Sequence, residues 1–200
     1  LGFLPGNRTT DAHLIIYNLI RKYCHISGTK LYGCFVDFSK AFDTVPRDIL
    51  FNKLIDHGIT GKFLKALINL YCNDKACVKM GDKISQEFQI NQGVRQGCVL
   101  SPLLFNIFIS DLPSSLYSDN GVTLHEGRKI NCLLWADDLI ILSESEKGLQ
   151  SLLNNLYTYC ADNEITVNIS KSKCMIFNKT GRLVRSPFYL GDAKLENVKV

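Results

Sequence analysis

The sequence predicts an α+β fold in which helices cover one face of an antiparallel sheet. Three observations carry this. Leu31–Phe38 is a short apolar run with its single charge, Asp37, near the C-terminal end. Leu133–Leu142 places two such runs on either side of Asp137-Asp138, which is the pattern of a hairpin with two carboxylates at its tip. Leu149, Leu152, Leu153, Leu156, Tyr157 and Cys160 recur at helical spacing immediately afterwards.

Taken in order, residues 1–8 carry Gly2, Pro5 and Gly6 and read as a loop ending at Arg8. Thr9 or Thr10 caps a helix whose apolar positions are Ala12, Ile15, Ile16, Leu19, Ile20 and Tyr23, and Gly28 closes it. The first buried strand follows. Pro46 opens a helix from Arg47 to His57, stopped by Gly58. Thr60 caps the next, with Phe63, Leu64, Leu67, Ile68 and Tyr71 on one face. Residues 75–90 form a ribbon around Gly81-Asp82, and Asn91–Gly97 is a Gly- and Gln-rich loop. Ser101-Pro102 starts a buried helix through Leu112, and residues 113–130 form a polar connection with short strands. After the central hairpin, Ser143 and Glu146 form a capping box for the amphipathic helix. Ile165–Ile169 and Cys174–Phe177 are strand-like and bracket Lys171 and Lys173.

Bulk properties set loose bounds. The chain has 200 residues, 46% of them hydrophobic and 21% charged, enough for a sizeable core. A net charge of +4 is compatible with a polyanionic partner without demanding one. The eight cysteines show no C-x-x-C pair and several lie in apolar runs, so buried reduced thiols are expected, placing the chain in the nucleus or cytoplasm. There is no signal peptide and no apolar run long enough to span a membrane, so no membrane partner is expected. The chain begins at Leu1 and its first methionine is Met80, which suggests a piece of a longer polypeptide. His13, His25, His57 and His125 share no ligand spacing.

The chemistry follows from the carboxylates. Asp37 ends one buried strand and Asp137-Asp138 join two others, so neighbouring strand ends would bring three carboxylates to one edge of the sheet. Clustered carboxylates raise one another's pKa unless a cation offsets them. A pair of Mg²⁺ ions suits such donors, being oxygen-seeking and held by few carboxylates plus substrate phosphates.

Phe35-Val36-Asp37-Phe38-Ser39-Lys40-Ala41-Phe42-Asp43, then Gly93–Phe105 with its Gln96-Gly97 and Ser101-Pro102, then Ala136-Asp137-Asp138, resembles the reverse transcriptases of non-LTR (LINE-type) retrotransposons. The resemblance runs from Gly2-Phe3 to at least Phe177. It implies a polymerase palm-like sheet in a partial right-hand polymerase: residues 1–30 ending a fingers region, 31–200 forming a palm with fingers helices inserted over about 46–90, and the thumb absent. It implies an RNA-directed DNA polymerase that extends a DNA primer on an RNA template with deoxynucleoside triphosphates, using two Mg²⁺ ions or Mn²⁺ as a substitute. Asp37, Asp137 and Asp138 would be catalytic and hold the metals, with the Phe38 carbonyl as an extra ligand. Phe42 would be the aromatic gate against a 2′-hydroxyl. Gln96, Gly97 and Lys171 would meet the nucleotide; Arg8, Arg95 and Trp135 would meet nucleic acid. Trp135, Val99 and Leu4 depart from the usual family phrasing, where Tyr or Phe, Pro and Arg respectively stand. A second reading is an inactive remnant that binds nucleic acid without turnover.

Overall fold

A computed structural model describes residue 6 and residues 8–124 and 127–199. The expectations for the loop before Arg8, for Leu4 and for His125 therefore lie outside the described residues, apart from Gly6. The chain divides into two compact units, Leu1–Ala41 with Ser110–Val200, and Phe42–Ile109.

The first unit begins with α1 (Thr9–Ile20), which runs into a π-helical segment, Arg21–Ile26. The cap of α1 is Arg8 rather than a threonine: the Asp11 side chain reaches back to accept from the Arg8 N–H at 3.0 Å, satisfying a donor that the helix itself leaves orphaned. Strand β1 (Leu31–Val36) follows.

The second unit contains α2 (Arg47–Asp56), α3 (Gly61–Cys72), four two-residue strands and α4 (Ser101–Phe108). The strands are β2 (Lys75–Ala76), β3 (Lys79–Met80), β4 (Lys83–Ile84) and β5 (Phe88–Gln89). They pair β3 with β4 and β2 with β5, giving the expected ribbon around Gly81-Asp82. Helix α4 packs on α2 and stops at Phe108, short of the expected Leu112. Ser101 is its first residue and not its cap; the hydroxyl instead donates to the Arg95 carbonyl at 2.5 Å.

Back in the first unit come α5 (Leu112–Ser115), β6 (Val122–Thr123), β7 (Lys129–Ile130), β8 (Cys132–Trp135), β9 (Asp138–Ser143) and α6 (Glu146–Asp162). Strands β10 (Lys173–Phe177), β11 (Phe188–Leu190) and β12 (Ala193–Val198) complete it. Six strands form one sheet in the order β11-β12-β10-β1-β9-β8. Every pairing is antiparallel except β10 with β12. The α+β class with a largely antiparallel central sheet is the one expected from the sequence, and helical residues pack against both faces of that sheet. β9 is buried from Leu139 to Ser143, as a strand covered on both faces must be, whereas β8 lies at the sheet edge and is only half-buried. Ile165–Ile169 is not a full strand; a single bridge joins Val167 to Phe38.

Helix α6 packs on β1, β9 and β11. Its cap is Ser145, whose hydroxyl accepts from the Gly148 N–H at 3.0 Å; Ser143 is spent instead on the Asn120 carbonyl at 2.6 Å. The other face of the sheet carries a cluster of Leu31, Ile140, Leu142 and Phe177 with Leu19, Tyr23 and Cys24 from α1 and the segment after it.

Polar groups at the edge of that cluster are fully paired. The Tyr23 hydroxyl donates to Glu144 Oε1 at 2.7 Å, and the Thr123 N–H donates to the same oxygen at 2.6 Å. Burial disfavours the Glu144 charge, yet these two hydrogen bonds and nearby Lys129 hold it below the usual carboxylate range. Burial first, then the hydrogen bond to Glu144 and its charge, push Tyr23 up to about 12. A carboxylate held low stabilises the fold above its unfolded pKa and loses that contribution as pH falls through the folded value. A phenol held high keeps its contribution below its unfolded value and loses it as pH rises toward about 12. Tyr23→Phe is therefore expected to flatten both limbs of the stability–pH curve and to cost about 1 kcal/mol at neutral pH. Urea titrations across pH check this, and superimposable curves for the two proteins would contradict it.

Candidate active site

The site is built where β1 ends beside the β8–β9 turn. Trp135 pairs with Asp138, so Ala136 and Asp137 alone make the turn. Ala136 holds a φ of 53°, a left-handed conformation that costs an alanine on the order of 1 kcal/mol, and such strain persists only where the surroundings over-determine it. In the adjoining pair, Val36 lies opposite Leu139, which sets Asp37 beside Asp138 across the next step of the ladder. Three carboxylates from two distant stretches of sequence thus share one end of the sheet. Partial burial, then the charges of Asp137 and Asp37, raise the Asp138 carboxyl above its ordinary value.

Asp37 is fixed from its other side by the loop before β10. Its N–H donates to the Ser172 hydroxyl at 3.1 Å, and its carbonyl accepts from the Asn168 N–H at 2.7 Å. The Ser39 N–H donates to the Thr166 carbonyl at 2.8 Å, closing the bridge that leaves Phe38 buried. The same loop carries Lys171, whose Nζ stands 3.8 Å from Asp37 Oδ2; its side chain is 68% exposed and that of Asp37 is 41% exposed. Lys173 is engaged elsewhere, with Glu196 at 2.5 Å. Of the two lysines in this stretch, Lys171 is the one that stands beside Asp37.

A cleft of about 330 Å³ adjoins the carboxylates. Ala12, His13 and Ile16 of α1, Phe35, Leu133, Trp135 and Ile140 line it together with Asp37, Asp138 and Lys171. Trp135, a departure from the family phrasing, lines it and is half-buried. Arg8 is exposed at the start of α1.

The second unit holds the other predicted residues. Phe42 stacks on Phe105, with ring centroids 4.5 Å apart and 23° between planes. The Val94 N–H donates to the Phe42 carbonyl and the Gly93 N–H to the Val45 carbonyl, each at 2.8 Å, so the Gly93–Gly97 loop is stitched to the segment carrying Phe42. Only glycine fits at 93: its φ is 84°, and a Cβ would sit 2.5 Å from the Asp43 carbonyl oxygen. Gln96 and Gly97 are exposed, and Gln96 Nε2 donates to Asp43 Oδ1 at 2.7 Å. Arg95, expected at nucleic acid, is committed to the protein: it donates to the Leu70 carbonyl at 2.7 Å, pairs with Asp74 at 3.1 Å and lies 5.7 Å from the Tyr71 ring centre.

Sequence reasoning passed over Arg47. It is 9% exposed and donates to the carbonyls of Gly93 at 3.0 Å and of Tyr71 and Ile90 at 2.7 Å each, and to Asp74 Oδ2 at 2.9 Å. One signal was available: a cation in the first turn of a helix opposes the helix dipole, so an arginine directly after Pro46 needed a reason to be there. Asp74, between a helix and a ribbon, offered none.

Among the described residues no three His, Cys, Asp or Glu side chains form a ready-made metal cage. The donor set is one of hard oxygens, partly exposed and mutually repelling. That fits a divalent ion held by one or two carboxylates with substrate phosphates supplying the rest, and does not fit a closed structural site.

The comparisons with known proteins agree in one direction. A family model described as reverse transcriptase (RNA-dependent DNA polymerase) matches residues 1–194. The Pol polyprotein of the type-2 retrotransposable element R2DM from Drosophila melanogaster is 30% identical over 210 residues, covering 99% of this chain and 19% of that protein. A probable RNA-directed DNA polymerase from transposon BS of Drosophila melanogaster is 27% identical over 183 residues, 86% of this chain and 19% of that one. Among solved structures, apo telomerase from Candida tropicalis, truncated from its C-terminal domain, aligns with a TM-score of 0.61 and 18% identity over 85% of this chain and 35% of its own, a likeness of fold. The chain spans about a fifth of the length of those two retroelement relatives.

Proposed function

The chain belongs to the reverse transcriptase family, on the non-LTR retrotransposon branch that its motifs resemble, and from that premise we propose that it is the polymerising core of an RNA-directed DNA polymerase. The reading rests on one observation: the β1–β9 register sets Asp37 beside Asp138, with Asp137 in the adjoining turn. In this reading the first unit serves as the palm and the helices of the second as inserted fingers. Partners are an RNA template, a DNA primer and deoxynucleoside triphosphates.

Asp37 and Asp137 would hold Mg²⁺, for which Mn²⁺ could substitute, with Asp138 assisting and the Phe38 carbonyl as a further ligand. Bound there, the ions supply charge neutralisation at the reacting phosphate and a lowered pKa at the primer hydroxyl. The chain's own groups do the rest. The Ser172 hydroxyl and the Asn168 N–H hold the Asp37 backbone, so its carboxylate enters the reaction already aimed. Lys171 offsets the charge that gathers on departing pyrophosphate, or hands it a proton from Nζ. Trp135 offers an aromatic face to the primer end. Arg8 meets the nucleic-acid backbone, and Gln96 and Gly97 face the nucleotide.

The test is extension of a DNA primer on an RNA template with Mg²⁺ by the full-length polypeptide that carries this chain. Template-dependent DNA synthesis is expected; binding of the hybrid with no synthesis would return the chain to a non-enzymatic nucleic-acid-binding role. Phe42 adds a sharper expectation in the same assay. Read as an aromatic gate braced on Phe105, it would leave no room for a 2′-hydroxyl, so Phe42→Ala should raise ribonucleotide incorporation by about tenfold or more, a steric discrimination of the size a single pocket group provides. Unchanged discrimination would remove Phe42 from that role.

A further inference from the structure

We propose that Asp43 is a positioning residue that holds the Gln96 side chain in one of its two amide orientations. A glutamine amide offers a carbonyl oxygen on one side and an NH₂ on the other, and the two exchange by a half-turn of the terminal bond. An ionised carboxylate only accepts hydrogen bonds, so Asp43 can engage Gln96 solely through the NH₂ group, as the 2.7 Å Nε2–Oδ1 contact has it. One of the two N–H donors is thereby spent, and Gln96 Oε1 is turned away from Asp43 as an acceptor.

The backbone around the pair makes this orientation hold. The loop carrying Gln96 and the segment carrying Asp43 are joined by the Val94–Phe42 and Gly93–Val45 hydrogen bonds on either side of Asp43, each 2.8 Å. Gly93 lies directly on the Asp43 backbone, and the buried Arg47 grips the Gly93 carbonyl at 3.0 Å. The two side chains therefore approach from a rigid frame while both remain exposed. An exposed pair adds little to stability, and its effect is on which atom Gln96 presents. Resting on the reverse transcriptase reading, in which Gln96 meets the incoming nucleotide, the consequence is that the nucleotide encounters an acceptor oxygen. Donor groups on the substrate, a hydroxyl or an exocyclic amine, are then favoured at that point.

The experiment is single-nucleotide incorporation by the full-length polypeptide with Asp43→Ala, Asp43→Asn, Gln96→Ala and the Asp43→Ala/Gln96→Ala double variant. Asp43→Ala is expected to raise KM for the deoxynucleoside triphosphate by about tenfold with kcat within about threefold, the scale of one charge-assisted hydrogen bond. Asp43→Asn, whose amide can donate as well as accept, bonds Gln96 in either orientation and should therefore raise KM much as Asp43→Ala does. In the Gln96→Ala background, Asp43→Ala should have no further effect. A parental KM in Asp43→Asn, or additive losses in the double variant, would overturn the proposal. Deuterium uptake by the peptide spanning residues 92–100 reads the same hold without turnover. Faster uptake in Asp43→Ala and parental uptake in Asp43→Asn are expected, and parental uptake in both would overturn it. A parent protein that incorporates nothing yet shows the Asp43-dependent uptake would sink the polymerase reading and leave the hold itself standing.

Discussion

Asp137→Ala is expected to cut RNA-templated primer extension by about a thousandfold or more while leaving the fold at least as stable as before. The activity loss follows from the role proposed for the carboxylate. Charge neutralisation at a transferring phosphate is worth several kcal/mol, and each 1.36 kcal/mol is a factor of ten in rate. The stability half follows from geometry. Asp137 shares one end of the sheet with Asp37 and Asp138, and after partial burial the charges of Asp137 and Asp37 raise the Asp138 carboxyl. Removing one of three like charges relieves that repulsion, the usual direction of a stability–activity trade-off. Asp137→Asn, which keeps the shape and drops the charge, should behave alike in both respects. Extension at the parental rate in either variant would sink the assignment of the site. A large fall in the urea midpoint would show that Asp137 is there to hold the turn.

Arg47→Ala is expected to destabilise the second unit by about 3–5 kcal/mol, the range for breaking a buried, hydrogen-bonded ion pair. The substitution strips donors from the carbonyls of Gly93, Tyr71 and Ile90 and takes one partner from Asp74. Arg95 still reaches Asp74 at 3.1 Å, which keeps the loss from growing further. Arg47→Lys should recover little, since an ammonium cannot spread donors over four acceptors as a planar guanidinium does. The exposed Lys75–Glu87 pair, 3.4 Å apart, is the internal contrast: Lys75→Ala should cost no more than about 0.5 kcal/mol. Chemical denaturation followed by limited proteolysis of the 42–109 region compares the two. A cost below about 1 kcal/mol for Arg47→Ala would mean that the network contributes geometry without stability.

These two residues also mark how far the sequence could be read. Asp37, Asp137 and Asp138 were legible because each sits against an apolar run whose periodicity is local, and because the motifs around them are specific to one family. The sheet, the amphipathic helix and the ribbon at Gly81-Asp82 were legible for the same reason. Arg47 was not, since its meaning depends on carbonyls 24 to 46 residues further on. Local rules also placed two serines wrongly. Ser143 and Ser101 look like helix caps, but each hydroxyl is claimed by a carbonyl that the tertiary fold brings near, Asn120 and Arg95. Strands β11 and β12 were missed although their signal was local: Phe188-Tyr189-Leu190 and Ala193-Lys194-Leu195 alternate about a Gly191-Asp192 turn, the pattern of a tight hairpin.

The order of the sheet has a consequence for how the protein comes into being. β1 is made well before its two neighbours, β9 and β10, whose residues lie more than a hundred positions later. At about 5–20 residues per second, the strand that carries Asp37 waits on the order of ten seconds before either partner exists. The contiguous Phe42–Ile109 unit has all its residues in hand during that interval and can close first. A nascent chain that stops short of β9 therefore has the Gly93–Gly97 loop in place before Asp137 and Asp138 can reach Asp37, and the bonds from Asn168 and Ser172 that fix the Asp37 backbone form later still.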